Sequence, residues 1–329
     1  MATTSQPGEH TGELDREHRE GQDSSGSASS PNGKLQLLSG KDRTVLTLMV
    51  AVPAVLVIGL VWIPALISVM LSFTKWNGIG PISEIQWIGL QNYADLVTIY
   101  PPFVPAITNN LLWLAVFFLI ATPLGIFMAT LLDREVRGTR LYQSALYLPV
   151  VLSLALIGFI WQLIYSRDQG LLNAMLGLDG SNRIDWLGNA DINIYAVLVA
   201  ASWRHVGYIM LLYLAGLKGI DPALREAASM DGAGEVRTFF SVILPAMQPI
   251  NVVVLVITVI EGLRAFDIVY VINKGTNGLE LLSTLVVSNV IGEASRVGFG
   301  SAIATILLII SLVFIVVYMI SIYREDATE

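Results

Sequence analysis

Ionisable side chains interrupt two of the long apolar stretches of this chain. Arg204 and His205 lie near the middle of one stretch, and Glu261, Arg264 and Asp267 follow along another at positions i, i+3 and i+6. In a membrane-spanning helix such groups are costly, and they usually find a partner or face water. Because residues three apart share one face of a helix, the spacing predicts an ion pair between Glu261 and Arg264.

A second interpretation makes such residues part of a polar path for a solute. The candidates are polar and ionisable side chains near the centre or the mouth of an apolar stretch, namely Asn109, Asn110, Trp161, Arg204, Glu261 and Arg264. A proton-coupled carrier would need an unpaired acid in a dry site near the middle of the membrane. Glu261 is placed for that use, but the arginine expected beside it argues against it.

Other kinds of chemistry are excluded by the composition. The chain has no cysteine, so disulfides, thiolate metal sites and cysteine nucleophiles are ruled out. Of three histidines, His10 and His18 lie near the N-terminus. No G-x-x-x-x-G-K-[ST] loop occurs that could cradle ATP phosphates. We expect no catalytic residue, no metal site and no cofactor in this chain.

The elements that carry these residues are predicted to be membrane helices. Of the 329 residues, 54% are hydrophobic and 14% are charged. Six apolar stretches are long enough to cross about 30 Å of hydrocarbon, which takes about 20 helical residues. They cover roughly residues 45–73, 110–132, 141–165, 194–217, 249–271 and 299–323. The sequence predicts an all-α, polytopic integral membrane protein with six transmembrane helices.

Two regions follow from this pattern, and basic residues orient them. Residues 1–43 begin with a segment rich in Ser, Gly, Glu and Asp, which predicts a disordered tail. Residues 44–324 form the transmembrane domain. Ten Lys and Arg residues flank the spans on the side of this tail, against five on the other side. The positive-inside rule therefore places both termini and the loop 218–247 in the cytoplasm.

That loop is a polar interruption with helix signals. Asp221 before Pro222 predicts a capped helix start, and Gly232 after Asp231 predicts its end. A second helix is predicted from Glu235 to Ile243, ending before Pro245. Four acids against two bases between residues 221 and 247 argue against a DNA-binding helix–turn–helix. An ordinary amphipathic connection remains an alternative.

The loops on the other side are rich in aromatic and amide residues, such as Trp76, Asn77, Trp87, Asn92 and Tyr93. Aromatic side chains are expected at both membrane surfaces, where their rings sit among the headgroups. The same residues could also form a docking surface for a partner outside the cell.

The loop 218–247 resembles a known motif. Glu226-Ala227-Ala228, then Asp231-Gly232-Ala233, then Ile243-Leu244-Pro245 is similar to the EAA loop of binding-protein-dependent ABC transporter permeases. The resemblance covers roughly residues 45–323. FTKWNGIG at 73–80, WIGLQNYADL at 87–96 and FDIVYVI at 266–272 are similar to the branch that takes up carbohydrates, including sugar and glycerol-3-phosphate systems.

This resemblance implies a fold, a role and partners. The fold would be that of a type I ABC importer permease. The loop would dock on a cytoplasmic ATPase subunit through the motif residues, which are Glu226, Ala227, Ala228, Asp231, Gly232, Ala233 and Pro245. The assembly would contain a second homologous permease, two ATP-binding subunits that bind ATP and Mg, and an external solute-binding protein. It would import a sugar or oligosaccharide across a prokaryotic inner or plasma membrane, in contact with lipid and without nucleic acid.

Two other classes of protein were weighed. An ion-gradient-driven secondary transporter of small polar solutes should show inverted repeats and unpaired acids within the membrane, and neither is evident. A membrane-embedded enzyme would need a cluster of catalytic side chains near one face. The resemblance implies instead a chain that is not an enzyme, with ATP hydrolysis on a separate subunit.

Overall fold

The computed structural model describes residues 40–134, 139–292 and 295–326, and these are mostly helical. In chain order the helices are α1 Gly40–Val57, α2 Ile63–Leu71, α3 Gln91–Thr98, α4 Phe103–Val116, α5 Thr122–Asp133, α6 Thr139–Val151, α7 Leu154–Ile164, α8 Leu171–Met175, α9 Asn193–Gly219, α10 Pro222–Met230, α11 Glu235–Thr238, α12 Leu244–Ala246, α13 Gln248–Leu263, α14 Asp267–Asn273, α15 Leu282–Val290 and α16 Val297–Asp326. Two short strands, β1 Thr74–Lys75 and β2 Gln86–Trp87, pair antiparallel.

The predicted tail, residues 1–43, lies mostly outside the described residues. Helix α1 begins at Gly40, so residues 40–43 belong to a helix and not to the tail. Of the described residues, 40–60 belong to a unit separate from the one that begins at Val61. The large apolar side chains of α1 are exposed, as expected of a helix that faces lipid or another membrane protein.

Four of the predicted spans are continuous helical stretches, and two are bent pairs. The continuous ones are Lys41–Leu71, Phe103–Asp133, Asn193–Gly219 and Val297–Ile320. The pair Leu141–Val151 and Leu154–Ile164 is bent by 105°, and the pair Glu235–Ala246 and Gln248–Asn273 by 82°. The described residues thus contain four membrane-length helices, or up to six if each bent pair is one span.

The third apolar stretch, predicted as one span, is divided by the 105° bend, and the fifth is interrupted near its end. In the third stretch, Ser153 is extended and its hydroxyl accepts a hydrogen bond from the Leu156 N–H at 3.2 Å, so it caps a new helix. The 82° bend lies at Met247, just before the fifth stretch, and that stretch itself stops being helical at residues 264–266 and restarts at Asp267. Hydropathy measures how apolar a stretch is, and it does not report where a side chain takes over a backbone hydrogen bond.

Three helices widen into a π turn, and each π turn ends two residues before a proline. The turns are Ile58–Trp62 before Pro64, Phe117–Ala121 before Pro123, and Phe239–Ile243 before Pro245. Proline has no N–H to donate, and its ring clashes with the carbonyl four residues earlier, which lies inside the π turn in each case. The wider turn accommodates the proline without ending the helix.

Helix α9 is the centre of the described bundle. Most of its length is buried, and it packs along α5 and against α6 and α13. Two glycines allow the helices to approach closely. A Cβ at Gly125 would lie 2.9 Å from the Val206 carbonyl oxygen, and one at Gly207 would overlap the Leu146 carbonyl oxygen. Small residues have this role in membrane proteins because close backbone packing replaces the hydrophobic effect there.

A polar cluster joins three of these helices in the apolar interior. The hydroxyls of Thr122 and Thr258 lie 3.0 Å apart, and His205 Nε2 lies 3.2 and 3.3 Å from them. The imidazole ring also stacks on Phe117, with 4.3 Å between ring centres. Hydrogen bonds between side chains hold membrane helices together, so His205 links α5, α9 and α13 at the π turn of the second span.

Candidate functional site

The loop between α9 and α13 folds into a helical hairpin, which we call the polar hairpin (residues 221–246). Its first helix, α10, begins as predicted: Asp221 Oδ1 accepts a hydrogen bond from the Ala223 N–H at 2.9 Å, and Pro222 follows the cap. Its turn is also as predicted. Gly232 has φ of +74°, the left-handed conformation that ends many helices.

The second helix of the polar hairpin runs further than predicted. It was expected to end before Pro245, but α11, the π turn Phe239–Ile243 and α12 form one continuous stretch through Ala246. Pro245 lies in the first turn of α12, where a missing N–H costs little. The prediction treated the proline as a terminator, whereas the π turn before it allows the helix to continue.

Most motif residues of the polar hairpin are exposed. Glu226, Ala227, Asp231, Gly232 and Pro245 are all accessible, and Ala233 is half-buried. Ala228 alone among them points into the chain, with 7% exposure. The apolar positions 223, 227 and 230 are exposed as well. The motif therefore presents small and acidic side chains at the surface of the hairpin.

Large apolar side chains add to this accessible surface. Met230 is 87% exposed, Val236 72% and Phe240 62%, although they lie in a polar segment. Exposed apolar side chains outside the membrane mark interaction surfaces. The sequence reasoning missed Val236 and Phe240. Their four-residue spacing in an otherwise polar loop is the signal that could have found them.

Two ion pairs fasten the polar hairpin to the end of α5. Asp133 Oδ2 lies 2.7 Å from Arg225 on α10, and Arg134 Nη2 lies 2.8 Å from Glu235 on α11. The two neighbouring residues thus each hold one helix of the hairpin. The Asp133 side chain is only 12% exposed. No sequence pattern pointed to these contacts, because the partners are far apart in the chain.

Asn251 fastens the other end of the hairpin, at the 82° bend before α13. Its side-chain amide donates a hydrogen bond of 2.7 Å to the carbonyl oxygen of Leu244. Its carbonyl oxygen accepts a hydrogen bond from the Tyr213 hydroxyl on α9. The hairpin is therefore tied to α5, α9 and α13, so that a force applied to it reaches three helices of the bundle.

The ion pair predicted within the membrane forms with a different partner. Glu261 Oε2 lies 3.2 Å from Arg204 Nη1 on α9, not beside Arg264. Arg264 sits at the C-terminal end of α13, is exposed, and forms no ion pair within the described part of the chain. The three-residue spacing gave the wrong partner because helix α13 ends at this point, and packing brings α9 closer.

The remaining path candidates separate into two groups. The Asn109 amide donates to the carbonyl oxygens of Gly278 and Glu280, and the Asn110 amide to that of Leu263, so both fasten backbone segments. Trp161, in contrast, packs edge-on against Trp203, with 6.0 Å between ring centres. The second group therefore consists of two separate contacts made by α9, the indole pair Trp161–Trp203 and the ion pair Arg204–Glu261.

Several buried polar atoms in that group have no hydrogen-bond partner among the described residues: Trp161 Nε1, Ser202 Oγ and Arg204 Nε. Unsatisfied donors inside a protein are rare, and they call for water or another molecule to complete them. The described residues also contain no set of three His, Cys, Asp or Glu side chains that could hold a metal ion.

Known sequences match nearly all of the transmembrane region. The profile of the family described as binding-protein-dependent transport system inner membrane component matches residues 42–325. The xylose/arabinose import permease protein XacH of Haloferax volcanii is 34% identical over 258 residues, which is 78% of this chain and 80% of that protein. The trehalose/maltose transport system permease protein MalF of Thermococcus litoralis is 30% identical over 250 residues, 74% of this chain and 83% of that protein.

A solved structure has the same fold. The crystal structure of a bacterial ABC transporter involved in the import of the acidic polysaccharide alginate contains a chain that matches with a TM-score of 0.72 and 22% sequence identity. The match covers 86% of this chain and 96% of that one. The predicted all-α ABC importer permease fold is confirmed.

Proposed function

Since this chain belongs to the family of binding-protein-dependent transport system inner membrane components, we propose that it is a permease subunit of an ATP-driven importer of a sugar or oligosaccharide. The observation that carries the proposal is the family match over residues 42–325. The chain is an inner-membrane component of a transport system and not an enzyme. The printed names of its relatives, such as the xylose/arabinose and trehalose/maltose permeases, favour a carbohydrate as the solute.

In this proposal the polar hairpin couples ATP hydrolysis to transport. Its exposed motif residues, Glu226, Ala227, Asp231 and Gly232 with the half-buried Ala233, dock on a cytoplasmic ATP-binding subunit, and Met230 and Phe240 add apolar contact. Ala228 and Pro245 shape the hairpin. ATP and Mg bind to the partner subunits, and this chain holds no cofactor. When those subunits close on ATP, the hairpin moves with them.

The anchors of the hairpin support this mechanism. Asp133, Arg134 and Asn251 connect it to α5, α9 and α13. Closure of the ATP-binding subunits then shifts the population of the bundle between an inward-open and an outward-open state, because ATP binds the closed form more tightly. A second, homologous permease encloses the path from the other side, and an external solute-binding protein delivers the sugar.

Within the membrane, we place the path of this chain along Trp161, Arg204 and Glu261. Indole faces and charged hydrogen-bonding groups suit a sugar, which has apolar ring faces and many hydroxyls. Unsatisfied buried donors beside the ion pair support the placement. In this proposal the sugar does not contact Asn109, Asn110 or Arg264. The two amides donate hydrogen bonds to backbone carbonyl oxygens, and Arg264 lies at a helix end. The pairing of Glu261 with Arg204 also disfavours a proton-coupled carrier.

The orientation is part of the proposal. The excess of Lys and Arg on the tail side puts both termini and the polar hairpin in the cytoplasm. Because the chain lacks cysteine, a single introduced thiol reports its side unambiguously. A thiol in place of Ala227 should react with a membrane-impermeant reagent only in inside-out vesicles. It should also cross-link to the ATP-binding subunit. Labelling from the outside would overturn the orientation.

Reconstitution tests the function itself. The chain, its second permease and its ATP-binding subunits are placed in vesicles, with the external binding protein and a labelled sugar such as arabinose, xylose or maltose. We expect accumulation that requires both ATP and the binding protein. Accumulation by this chain alone, driven by an ion gradient, would overturn the proposal. The matched control is the complete assembly with a non-hydrolysable ATP analogue.

A further inference from the structure

A cavity of about 540 Å³, lined by both polar and apolar side chains, lies at the end of the bundle opposite the polar hairpin. We call it the outer pocket, and its walls include Lys75, Trp76, Asn77, Asp95, Tyr100 and Arg296. These residues come from the connection after the first span and from the segment just before the last one. Between the polar hairpin and either of these segments, the chain crosses the membrane an odd number of times. The outer pocket therefore faces the external side when the hairpin is cytoplasmic.

Arg296 is held rigidly at the edge of this pocket. One of its guanidinium nitrogens donates a hydrogen bond of 2.7 Å to Asn289 Oδ1. The guanidinium carbon lies 4.7 Å from the ring centre of Phe299 and 5.6 Å from that of Tyr100. Asn289 is itself 1% exposed and also donates to the Tyr100 hydroxyl at 2.9 Å. A cation fixed in this way loses little side-chain entropy when it binds an anion.

Hydrogen-bond donors predominate in the outer pocket. Lys75 is exposed and forms no ion pair with any described residue. Asn77 uses its carbonyl oxygen to accept from the Ile79 N–H, which leaves its amide N–H groups to donate. Trp76 Nε1 is buried and finds no acceptor in the described part of the chain.

Anionic side chains, in contrast, are fewer in the lining than cationic ones. The one carboxylate among the lining residues, Asp95, accepts a hydrogen bond of 2.7 Å from Gln91. Two cations, Lys75 and Arg296, against one anion leave the lining with a formal charge of +1. Such a pocket suits a group that only accepts hydrogen bonds and carries negative charge. A carboxylate has both properties, and it pairs with arginine through two parallel hydrogen bonds.

We infer that the outer pocket receives an acidic side chain of the external solute-binding protein, an inference that rests on the proposed function. The surroundings favour a protein over a free solute. Ile79, Ile82 and Trp87, on the same connection, are 66%, 80% and 69% exposed. Exposed aromatic side chains and arginine are enriched at protein interfaces. The pocket is also separate from the Arg204–Glu261 pair, where the path of the sugar is placed.

The first test measures ATP hydrolysis by the assembled transporter in nanodiscs at rising concentrations of the binding protein. In Arg296→Gln and in Lys75→Gln, the concentration of binding protein that gives half-maximal stimulation of ATP hydrolysis should rise about tenfold. This is the effect expected when one charge-assisted contact is lost. The maximal rate should stay unchanged, because the pocket does not contact the polar hairpin. Matched controls are Arg167→Gln and Lys274→Gln, which remove exposed cations of other external loops.

A second test identifies the docked group. A carbodiimide activates a carboxylate, and the Lys75 amine displaces the activating group to form an amide, with loss of water overall. We expect one cross-linked peptide that joins Lys75 to an acidic residue of the binding protein. It should disappear in Lys75→Arg, which keeps the charge but lacks the reactive amine, and it should weaken in Arg296→Gln.

Several outcomes would overturn the inference. Equal shifts in all four glutamine variants would show a general effect of charge and no specific docking. Unshifted stimulation in Arg296→Gln and Lys75→Gln would show that the pocket is not in contact. Binding of free glucuronate that Arg296→Gln abolishes, with unchanged affinity for the binding protein, would assign the pocket to an acidic solute. A wild-type assembly that no binding protein stimulates would overturn the proposed function as well.

Discussion

The ion pair between Arg225 and Asp133 gives the sharpest test of how the polar hairpin is anchored. We consider Arg225→Gln, which keeps much of the side chain and removes its charge. The two charged atoms lie 2.7 Å apart, and the Asp133 side chain is mostly buried while that of Arg225 is 40% exposed. After the substitution, the Asp133 carboxylate is left without its cation in a largely dry position at the end of α5.

Two limits bracket the cost of this change. An exposed ion pair contributes about 0.2–1 kcal/mol, whereas removing one partner of a fully buried pair costs about 3–5 kcal/mol. The pair here is half-buried, so we expect roughly 1–2 kcal/mol, which is about a 5- to 30-fold change in an equilibrium constant. The affected equilibrium is the local opening of α10 away from α5.

Amide hydrogen exchange measures that opening directly, since local opening exposes the backbone N–H groups. In Arg225→Gln, amides of peptides that cover residues 222–230 should exchange about 5- to 30-fold faster than in the wild type. Arg237→Gln is the matched control, because Arg237 is an exposed arginine of α11 that forms no ion pair with a described residue.

Function should change in parallel. In the assembled transporter, Arg225→Gln should keep ATP hydrolysis but transport less sugar per ATP, because the hairpin moves without pulling α5. The charge-swapped double variant Asp133→Arg with Arg225→Asp should recover part of both properties. Exchange rates in Arg225→Gln equal to those of the wild type would refute the anchoring argument. Equal effects of Arg225→Gln and Arg237→Gln would refute it as well.

Three further predictions concern single contacts. Gly232→Val should raise the free energy of the hairpin turn by about 1–2 kcal/mol, because the positive φ disfavours a side chain; transport per ATP should fall, and a wild-type ratio would contradict this. Asn251→Leu removes the bonds to Leu244 and Tyr213, at a cost of about 1–3 kcal/mol; hydrogen exchange at residues 239–246 should accelerate, with Asn251→Asp, which retains only an acceptor, intermediate. Glu261→Gln leaves Arg204 unpaired. The thermal unfolding midpoint of this variant should therefore lie below that of the double variant Arg204→Gln with Glu261→Gln. The reverse order would show that the pair does not stabilise the bundle.

Some contacts were predictable because they form between close neighbours in the chain. The cap at Asp221 reaches only to Ala223, and the turn at Gly232 depends on that residue's own φ. The apolar stretches marked the spans, because backbone groups in lipid must pair within their own helix. A proline follows each of the three π turns, but the sequence predicted none of the widened turns and predicted instead that a helix ends before Pro245.

Contacts between distant residues were decided only by the tertiary structure. Glu261 had a neighbour of opposite charge three positions away, yet it pairs with Arg204, 57 positions away, because α9 packs beside α13. The same holds for Asp133 with Arg225, and for Asn251 with Tyr213. By itself, the sequence determined the helices, the membrane class and the exposed motif, which follow from local patterns. Which helix holds which depends on the packing of the whole bundle, and only the tertiary structure decided it.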